Sequence, residues 1–333
     1  MIHINDYPRL PAFRRPALRA FLAAHDLAFD NDIDGIVLAE TDTGEIKGCI
    51  AHHAAVLQYF CVDSTVREEG LGTRLISTLI NRLLTRYATL QAFTAPERIA
   101  TFQALGFRLL AQAPPLYALL EFGPQGIEDY LHQVHQLLPS PHGPYGAIVM
   151  NANPFTRGHR HLIEYAAQHC PHLIVFVVRH EQPRFSFIDR FTMVSNGCAD
   201  LSNVSVCSGG EYMVSSATFP HYFIKQPPKA QITAHQSRLD ATLFATRIAP
   251  MLQITQRFVG EEPFSPVTAC YNDTLHDILP AHGIEVCEIP RLAHAGEAIS
   301  ASRVRALLTA HDGDWQALVP ETTRQYLIEH DLT

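Results

Sequence analysis

The chain has 333 residues, which is enough for about two domains of ordinary size. Apolar residues make up 47% and charged residues only 17%, a composition that excludes a disordered chain and a coiled coil. The formal net charge of −8 argues against nucleic acid and anionic membranes as partners, because both bind basic surfaces.

The N-terminus and the cysteines indicate a cytoplasmic protein. The first ten residues lack the basic and apolar regions of a secretory signal, and no apolar run reaches the length of a membrane span. The seven cysteines are scattered and form no C-x-x-C pair, so we expect neither a disulfide framework nor a zinc site. We interpret most of them as small core residues.

The first part of the chain predicts a domain that mixes helices and strands. The predicted elements are a helix over 11–25, strands over 35–39, 46–51 and 56–62, and a long amphipathic helix to about residue 87. The turn Asp42-Thr-Gly44 predicts a hairpin between the first two strands. We therefore expect an α+β fold here.

A glycine turn, Arg67-Glu-Glu-Gly-Leu-Gly72, separates the last of these strands from the long helix. Such a turn directs free backbone N–H groups and the positive helix end toward one point, which suits a pyrophosphate. With Ala104-Leu-Gly-Phe107 before a further strand, the stretch resembles the GNAT acetyltransferase fold, whose loop holds the CoA pyrophosphate. The resemblance makes Arg67, Gly70 and Gly72 candidates for binding a CoA-like arm, and an inert scaffold is the alternative.

Three clusters of Pro and Gly divide the chain, at 113–115, 122–126 and 138–144. The apolar spacing between the last two predicts a short helix over 127–138. We therefore expect one domain over 1–113, a connector with one helix over 114–143, and a second domain over 144–333.

The second domain contains continuous apolar runs separated by helical segments. The runs cover 146–150, 173–178, 204–207, 257–259 and 284–289. Strands that are apolar on both faces and alternate with helices indicate a doubly wound, Rossmann-like parallel sheet. Ligands of such sheets bind at the carboxyl ends of the strands.

Two segments of this domain are suited to phosphate. Directly after the first strand, Asn151-Ala-Asn-Pro-Phe-Thr-Arg-Gly-His159 leads into a helix, whose N-terminus favours an anion while His159 supplies a further donor. After the last strand, Ile299-Ser-Ala-Ser-Arg-Val-Arg305 begins a second helix with Ser300 as N-cap and Arg305 as a permanent charge. A helix cap with a surface histidine is the plainer interpretation of the first segment.

These two segments resemble the signature motifs of the HIGH-type nucleotidyltransferases. Longer stretches, 151–156, 211–225 and 259–264, are similar to citrate lyase ligase, a family that joins a GNAT-like domain to a nucleotidyltransferase domain. The resemblance covers nearly the whole chain. It implies an AMP-forming ligase that uses ATP, with Mg²⁺, and acetate to acetylate the thiol of a CoA-like group, phosphoribosyl-dephospho-CoA, on the acyl carrier subunit of citrate lyase.

The resemblance also implies roles for individual residues. We expect His159 to stabilise phosphate oxygens in the transition state, Thr156 and Ser302 to bind the β- and γ-phosphates, and Arg305 to bind the leaving diphosphate. Lys225 is expected to face acetate or the diphosphate. The full set expected to bind ATP is Asn151, Asn153, Phe155, Thr156, Gly158, His159, Gly260, Glu261, Ile299, Ser300, Ser302 and Arg305.

Other residues carry weaker predictions. Arg184 and Arg190 are candidates for phosphate or the prosthetic group, with a solvated surface role as the alternative, and Ser215 and Ser216 are further candidates. His161 follows His159 by two helical positions, about 200° around the helix, so we do not expect the two to share a metal ion.

The sequence leaves three alternative functions open. The chain could be an adenylyltransferase that forms a dinucleotide-type cofactor from a phosphomonoester, as phosphopantetheine adenylyltransferases do. It could instead serve the acyl carrier of malonate decarboxylase. The third alternative is an active N-terminal acetyltransferase with a C-terminal nucleotide sensor.

Overall fold

A computed structural model describes residues 1–29, 33–139, 143–213, 229–262 and 266–333. The chain divides into two compact units. The first comprises Met1–Asp129 and, from farther along the chain, residues 229–239. The second comprises the other described residues from Tyr130 onward.

The described residues up to 136 form seven strands and four α-helices. The strands are β1 Ile2–Tyr7, β2 Gly35–Thr41, β3 Ile46–His53, β4 Val56–Val62, β5 Leu90–Thr94, β6 Arg108–Ala113 and β7 Tyr117–Phe122; the helices are α1 Arg15–Ala24, α2 Leu71–Leu83, α3 Ile99–Ala104 and α4 Ile127–Gln136. The sheet order is β1-β2-β3-β4-β5-β7-β6, and β4 with β5 is its parallel pair.

Side chains alternate between the two faces of the sheet along each strand, and both faces are buried under helices. Val37 and Ile50 pack under α2 through Leu75, whereas Ile36 and Leu38 face α1. Strands covered on both faces read as continuous apolar runs, and for this reason the sequence predicts β2, β3 and β4 well.

Strands β1, β5 and β7 are not predicted from the sequence. The boundary expected at residue 113 precedes β7, which pairs with β5 and β6, so the expected connector contains a strand of the first sheet. Its prolines stand in a tight turn between β6 and β7, closed by the N–H of Leu116 donating to the carbonyl of Ala113 over 3.2 Å. A proline-rich turn inside a hairpin and a domain boundary have the same composition.

The described residues after 136, apart from residues 229–239, belong to the second unit, which is built on a parallel sheet. Its strands are β8 Tyr145–Met150, β9 Leu173–Val177, β10 Val204–Ser208, β11 Ile254–Gly260 and β12 Glu285–Ile289, with the short pair β13 Ala293–His294 and β14 Glu297–Ala298; the helices are α5 Arg157–His169, α6 Phe187–Cys198, α7 Lys229–Leu243, α8 Ala249–Leu252, α9 Pro266–Ile278, α10 Ala301–Thr309 and α11 Glu321–Glu329. A π-helical turn, Phe244–Ile248, separates α7 from α8.

The order of the large sheet is β10-β9-β8-β11-β12, with all neighbours parallel. The chain winds outward from β8 through β9 to β10 and then returns to build β11 and β12 on the other side. The predicted fold class, an α+β part followed by a doubly wound parallel sheet, is confirmed. The strand order reverses between β8 and β11. This position is the topological switch point of the sheet, where such sheets bind ligands.

Every helix in the described part of the chain is too short or too polar to cross a lipid bilayer.

Candidate active site at the switch point of the parallel sheet

A cavity of about 600 Å³ lies at the carboxyl ends of β8 and β11. Eight of the residues predicted to bind ATP line it: Asn151, Thr156, Gly158, His159, Gly260, Ile299, Ser300 and Ser302. These residues are up to about 150 positions apart in sequence, and the fold brings them to the one place where the topology favours a ligand.

Thr156 and His159 form a capping box at the N-terminus of α5. The Thr156 hydroxyl accepts from the His159 backbone N–H over 3.3 Å, and the Thr156 backbone N–H donates to His159 Nδ1 over 3.0 Å. Because Nδ1 accepts this hydrogen bond, the proton of the neutral imidazole is on Nε2. The helix cap thus fixes the tautomer of the histidine.

The surroundings of His159 keep it neutral. Burial and, to a lesser extent, the nearby positive charge of Arg291 together lower its pKa to about 4. Its ring stacks on Phe155, with centroids 5.9 Å apart and an angle of 13° between the planes. The site therefore holds a preformed N–H donor without introducing a positive charge of its own.

Phe155 supports the histidine from below and does not line the cavity. Its side chain is completely buried and packs against Gly197 in α6, where an added Cβ would stand 2.4 Å from the Phe155 ring. Phe155 was expected to bind ATP, but its buried side chain contacts Gly197 and the ring of His159 instead.

The two phosphate-suited segments lie against each other. A Cβ added to Gly158 would stand 3.1 Å from the carbonyl oxygen of Ile299, so glycine is what allows α5 to approach the start of α10 this closely. Ser300 caps α10 by accepting from the backbone N–H of Arg303 over 3.1 Å. Two helix N-termini, each with a hydroxyl, therefore meet at one cavity, an arrangement that favours a polyanion.

Arg305 lies beside this pair of helix starts. Its guanidinium donates to Ser302 Oγ over 3.0 Å and to the carbonyl of Asn153, which joins the second motif to the first. Burial and the positive charge of Arg184 lower the pKa of Arg305. Arg184 itself donates to Thr309 Oγ1, at the last residue of α10, over 3.1 Å.

Arg190 contradicts the expectation from sequence. It is completely buried and donates to the carbonyls of Asn151, Val178 and His180 over 2.6–2.8 Å. It therefore neither contacts phosphate nor lies on the surface. Instead its two Nη groups tie together the segments that follow β8 and β9.

Gly260 lines the cavity at the end of β11, whereas Glu261, which was also expected to bind ATP, does not. The carbonyl of Glu261 accepts from Arg291 Nε over 2.6 Å, and Arg291 also forms an ion pair with the nearly buried Glu262. Arg291 and Glu262 line the cavity and were missed by the sequence analysis. The rule that ligands meet the carboxyl ends of strands could have found Arg291, which follows β12 by two residues.

His161 also lines the cavity, although the helical spacing predicts that it points away from His159. Among the described residues no group of three His, Cys, Asp or Glu side chains could hold a metal ion. Lys225, Ser215 and Ser216 lie outside the described residues.

The first unit contains a cavity of about 780 Å³ where β4 and β5 separate. The two strands share only two register pairs, Val56 with Gln91 and Leu57 with Ala92, and the cavity opens beyond them. Gly70, with φ +64°, begins α2, and Gly72 in its first turn lines the cavity. Arg67 belongs to a short 3₁₀ segment, Ser64–Glu69, just before that helix.

The comparisons with known proteins identify the same family that the sequence motifs resemble. Residues 145–327, more than half of the chain, match the family model described as the citrate lyase ligase C-terminal domain. The [citrate [pro-3S]-lyase] ligase of Klebsiella pneumoniae is 38% identical over 325 residues, which cover 95% of this chain and 93% of that protein. The chain belongs to the citrate lyase ligase family.

Other members of the citrate lyase ligase family match over a similar span. The enzyme of Escherichia coli is 37% identical over 93% of this chain and 90% of its own length, and that of Haemophilus influenzae is 36% identical over 93% and 94%. Among solved structures, Escherichia coli ElaA aligns with 36% of this chain and 99% of its own, at 16% identity and a TM-score of 0.32. Similarity at that level does not bear on function.

Proposed function

We propose that this chain is an AMP-forming ligase that acetylates the thiol of the phosphoribosyl-dephospho-CoA group on the acyl carrier subunit of citrate lyase, using ATP and acetate. The observation that carries the proposal is the meeting of two capped helix N-termini, at Thr156 and Ser300, at one cavity beside Arg305. Family membership supports the same activity. ATP, acetate and the carrier are then its substrates.

In the first step a carboxylate oxygen of acetate attacks the α-phosphorus of ATP. The bond from that phosphorus to the bridging oxygen breaks, diphosphate leaves, and acetyl-adenylate forms. Acetate is ionised at neutral pH and needs no general base, so the protein's task is alignment and charge stabilisation. We assign the Nε2–H of His159 to the transferring phosphate oxygens, Thr156 and Ser302 to the β- and γ-phosphates, and Arg305 to the leaving diphosphate.

Mg²⁺ enters this proposal as a complex with ATP. Its ligands would be phosphate oxygens and water, as is usual for magnesium at nucleotide sites. It would neutralise charge on the diphosphate, while Arg305 and the helix N-termini hold the oxygens that the ion leaves free. Lys225 stays a proposed contact of acetate or diphosphate.

In the second step the carrier thiol attacks the acetyl carbonyl, the thioester forms and AMP leaves with the carboxyl oxygen. The thiol proton is released to solvent. We propose that the CoA-like arm binds in the first unit, in the cavity between the diverging strands β4 and β5. Its pyrophosphate would lie at the start of α2, near Gly70 and Gly72, with Arg67 as a further contact.

A direct test incubates the protein with Mg²⁺-ATP, acetate and the thiol form of the citrate lyase carrier. Mass spectrometry of the carrier should show the gain of one acetyl group, dependent on both ATP and acetate. Parallel reactions with the malonate decarboxylase carrier and with phosphopantetheine test the two closest alternatives. Acetylation of the malonate decarboxylase carrier alone, or dinucleotide formation from phosphopantetheine, would contradict the proposal.

A further inference from the structure

Arg257 is a buried arginine that is not among the proposed phosphate contacts. It lies on β11, is 2% exposed and lines the cavity at the switch point. Its Nε and Nη1 atoms are buried and have no hydrogen-bond partner among the described residues. Leaving guanidinium donors unsatisfied in a buried position is costly, so the position favours an anionic ligand.

The surroundings hold the guanidinium in place. Its plane lies over the ring of Phe244, with Cζ 4.6 Å from the ring centroid. The Tyr271 hydroxyl donates to Asp240 over 2.6 Å and interacts with Arg257 through its oxygen. Burial and the negative charge of Asp240 raise the pKa of Tyr271, so the phenol stays protonated and keeps this orientation.

The wall next to Arg257 is apolar and small. Alternation along the parallel strands puts Val149 and Val259 on the same face as Arg257, whereas Met150 and Phe258 enter the core on the opposite face. Both valines line the cavity. One charged group and two short aliphatic side chains thus border the same part of it.

We propose that Arg257 binds the carboxylate of acetate and that Val149 and Val259 contact its methyl group. This inference rests on the proposed function, which requires two anions in one cavity. The helix N-termini, Ser302 and Arg305 provide for the phosphates of ATP, and acetate is the remaining anion. A guanidinium presents paired N–H groups that match the geometry of a carboxylate, and the valines limit the length of the acid that fits.

The test compares Arg257→Gln, Arg257→Lys and the wild type in acetate-dependent diphosphate release. Loss of a charge-assisted hydrogen bond should raise the acetate KM of Arg257→Gln by about 10- to 100-fold, with partial recovery in Arg257→Lys and an unchanged KM for ATP. Arg247→Gln, an exposed arginine on the neighbouring π-helical turn, is the matched control. Saturation-transfer NMR with acetate measures binding without turnover and should show a weaker signal for Arg257→Gln.

Each outcome decides a separate point. A wild-type protein with no acetate-dependent diphosphate release contradicts the proposed function itself. An active wild type with unchanged acetate KM in Arg257→Gln contradicts the inference alone, and an equal rise in the KM for ATP would make Arg257 a phosphate contact and also overturn it.

A variant at a different residue tests the inference even if the Arg257 variants do not fold. Val259→Ala removes two methyl groups from the apolar wall, which enlarges the cavity there and should shift the preference toward propionate by about 10-fold relative to acetate. An unchanged ratio of kcat/KM for the two acids in folded Val259→Ala would overturn the inference.

Discussion

The backbone N–H of Thr156 donates to Nδ1 of His159 over 3.0 Å, so the cap of α5 and the orientation of the imidazole are one arrangement. The third residue of a capping box is ordinarily Glu or Gln, whose side chain only closes the helix. A histidine at this position closes the helix with one ring nitrogen and leaves the other as a donor. The orientation of the free ring nitrogen is thus fixed by the backbone.

Replacing His159 should abolish most activity. We expect His159→Ala to lower acetate-dependent diphosphate release by about 10²- to 10³-fold, which is the usual loss for one preorganised donor. His159→Gln preserves an acceptor for the Thr156 N–H and also carries an amide N–H donor, so it should recover part of the activity lost in His159→Ala. His169→Ala, at the exposed end of the same helix, should retain activity. Wild-type turnover in either His159 variant would refute the assignment.

The lowered pKa of His159 predicts a pH dependence of stability. Its pKa is about 4 in the folded protein and about 6.5 in the unfolded chain, so the unfolded state binds more protons at intermediate pH. Stability from the neutral ring is complete above about pH 6.5 and is lost as the pH falls toward 4. Between about pH 7.5 and pH 5 the loss should reach up to about 2 kcal/mol.

Urea unfolding of wild type and His159→Gln at those two pH values measures this contribution. The variant should lose less stability on acidification than the wild type, because glutamine does not titrate. The other histidines cancel in the comparison. Equal losses in the two proteins would show that the ring is not held neutral.

Gly197 is predicted to be required for the packing under His159. An added methyl group would stand 2.4 Å from the Phe155 ring, which itself stacks on the imidazole. Gly197→Ala should therefore lower the free energy of unfolding by about 1–3 kcal/mol and reduce activity. Gly313→Ala, where a Cβ has open space, is the matched control for urea unfolding. A fully stable and active Gly197→Ala would exclude this packing.

Binding of the CoA-like arm in the first unit can be tested without turnover. A side chain at Gly72 would meet Phe60 at 3.2 Å and, as aspartate, would place a negative charge at the start of α2. Gly72→Asp, alone or with Gly70→Asp, should abolish binding of dephospho-CoA in calorimetry, whereas Gly313→Asp should not. Unchanged binding in a variant with native circular dichroism would remove the arm from this cavity.

The sequence predicted the elements that are buried on two faces and the residues that act through backbone geometry. Thr156, Gly158, His159 and Ser300 were recognisable because a strand, a turn and a helix start in fixed order predict where N–H groups point. Strand β1 was missed because Ile2–Tyr7 contains Asn and Asp and pairs only along one edge.

Side-chain contacts that depend on tertiary packing were harder to predict from the sequence. Arg190 and Arg305 look alike in sequence, yet one is buried among carbonyls and the other lies beside Ser302 at the helix start. Arg257 stands in the middle of β11 and offers no local signal of a ligand. Which side chains of a strand face a cavity depends on how the strands assemble into the sheet. The charge, spacing and composition of the sequence do not specify this.

The central claim is that the cavity at the switch point adenylates acetate. The most direct measurement mixes the purified protein with Mg²⁺-ATP, acetate and hydroxylamine, without a carrier, and quantifies diphosphate and acetohydroxamate. We expect both products to form in equal amounts and only when acetate is present. No diphosphate with acetate, together with diphosphate release when a phosphomonoester is supplied, would contradict the claim.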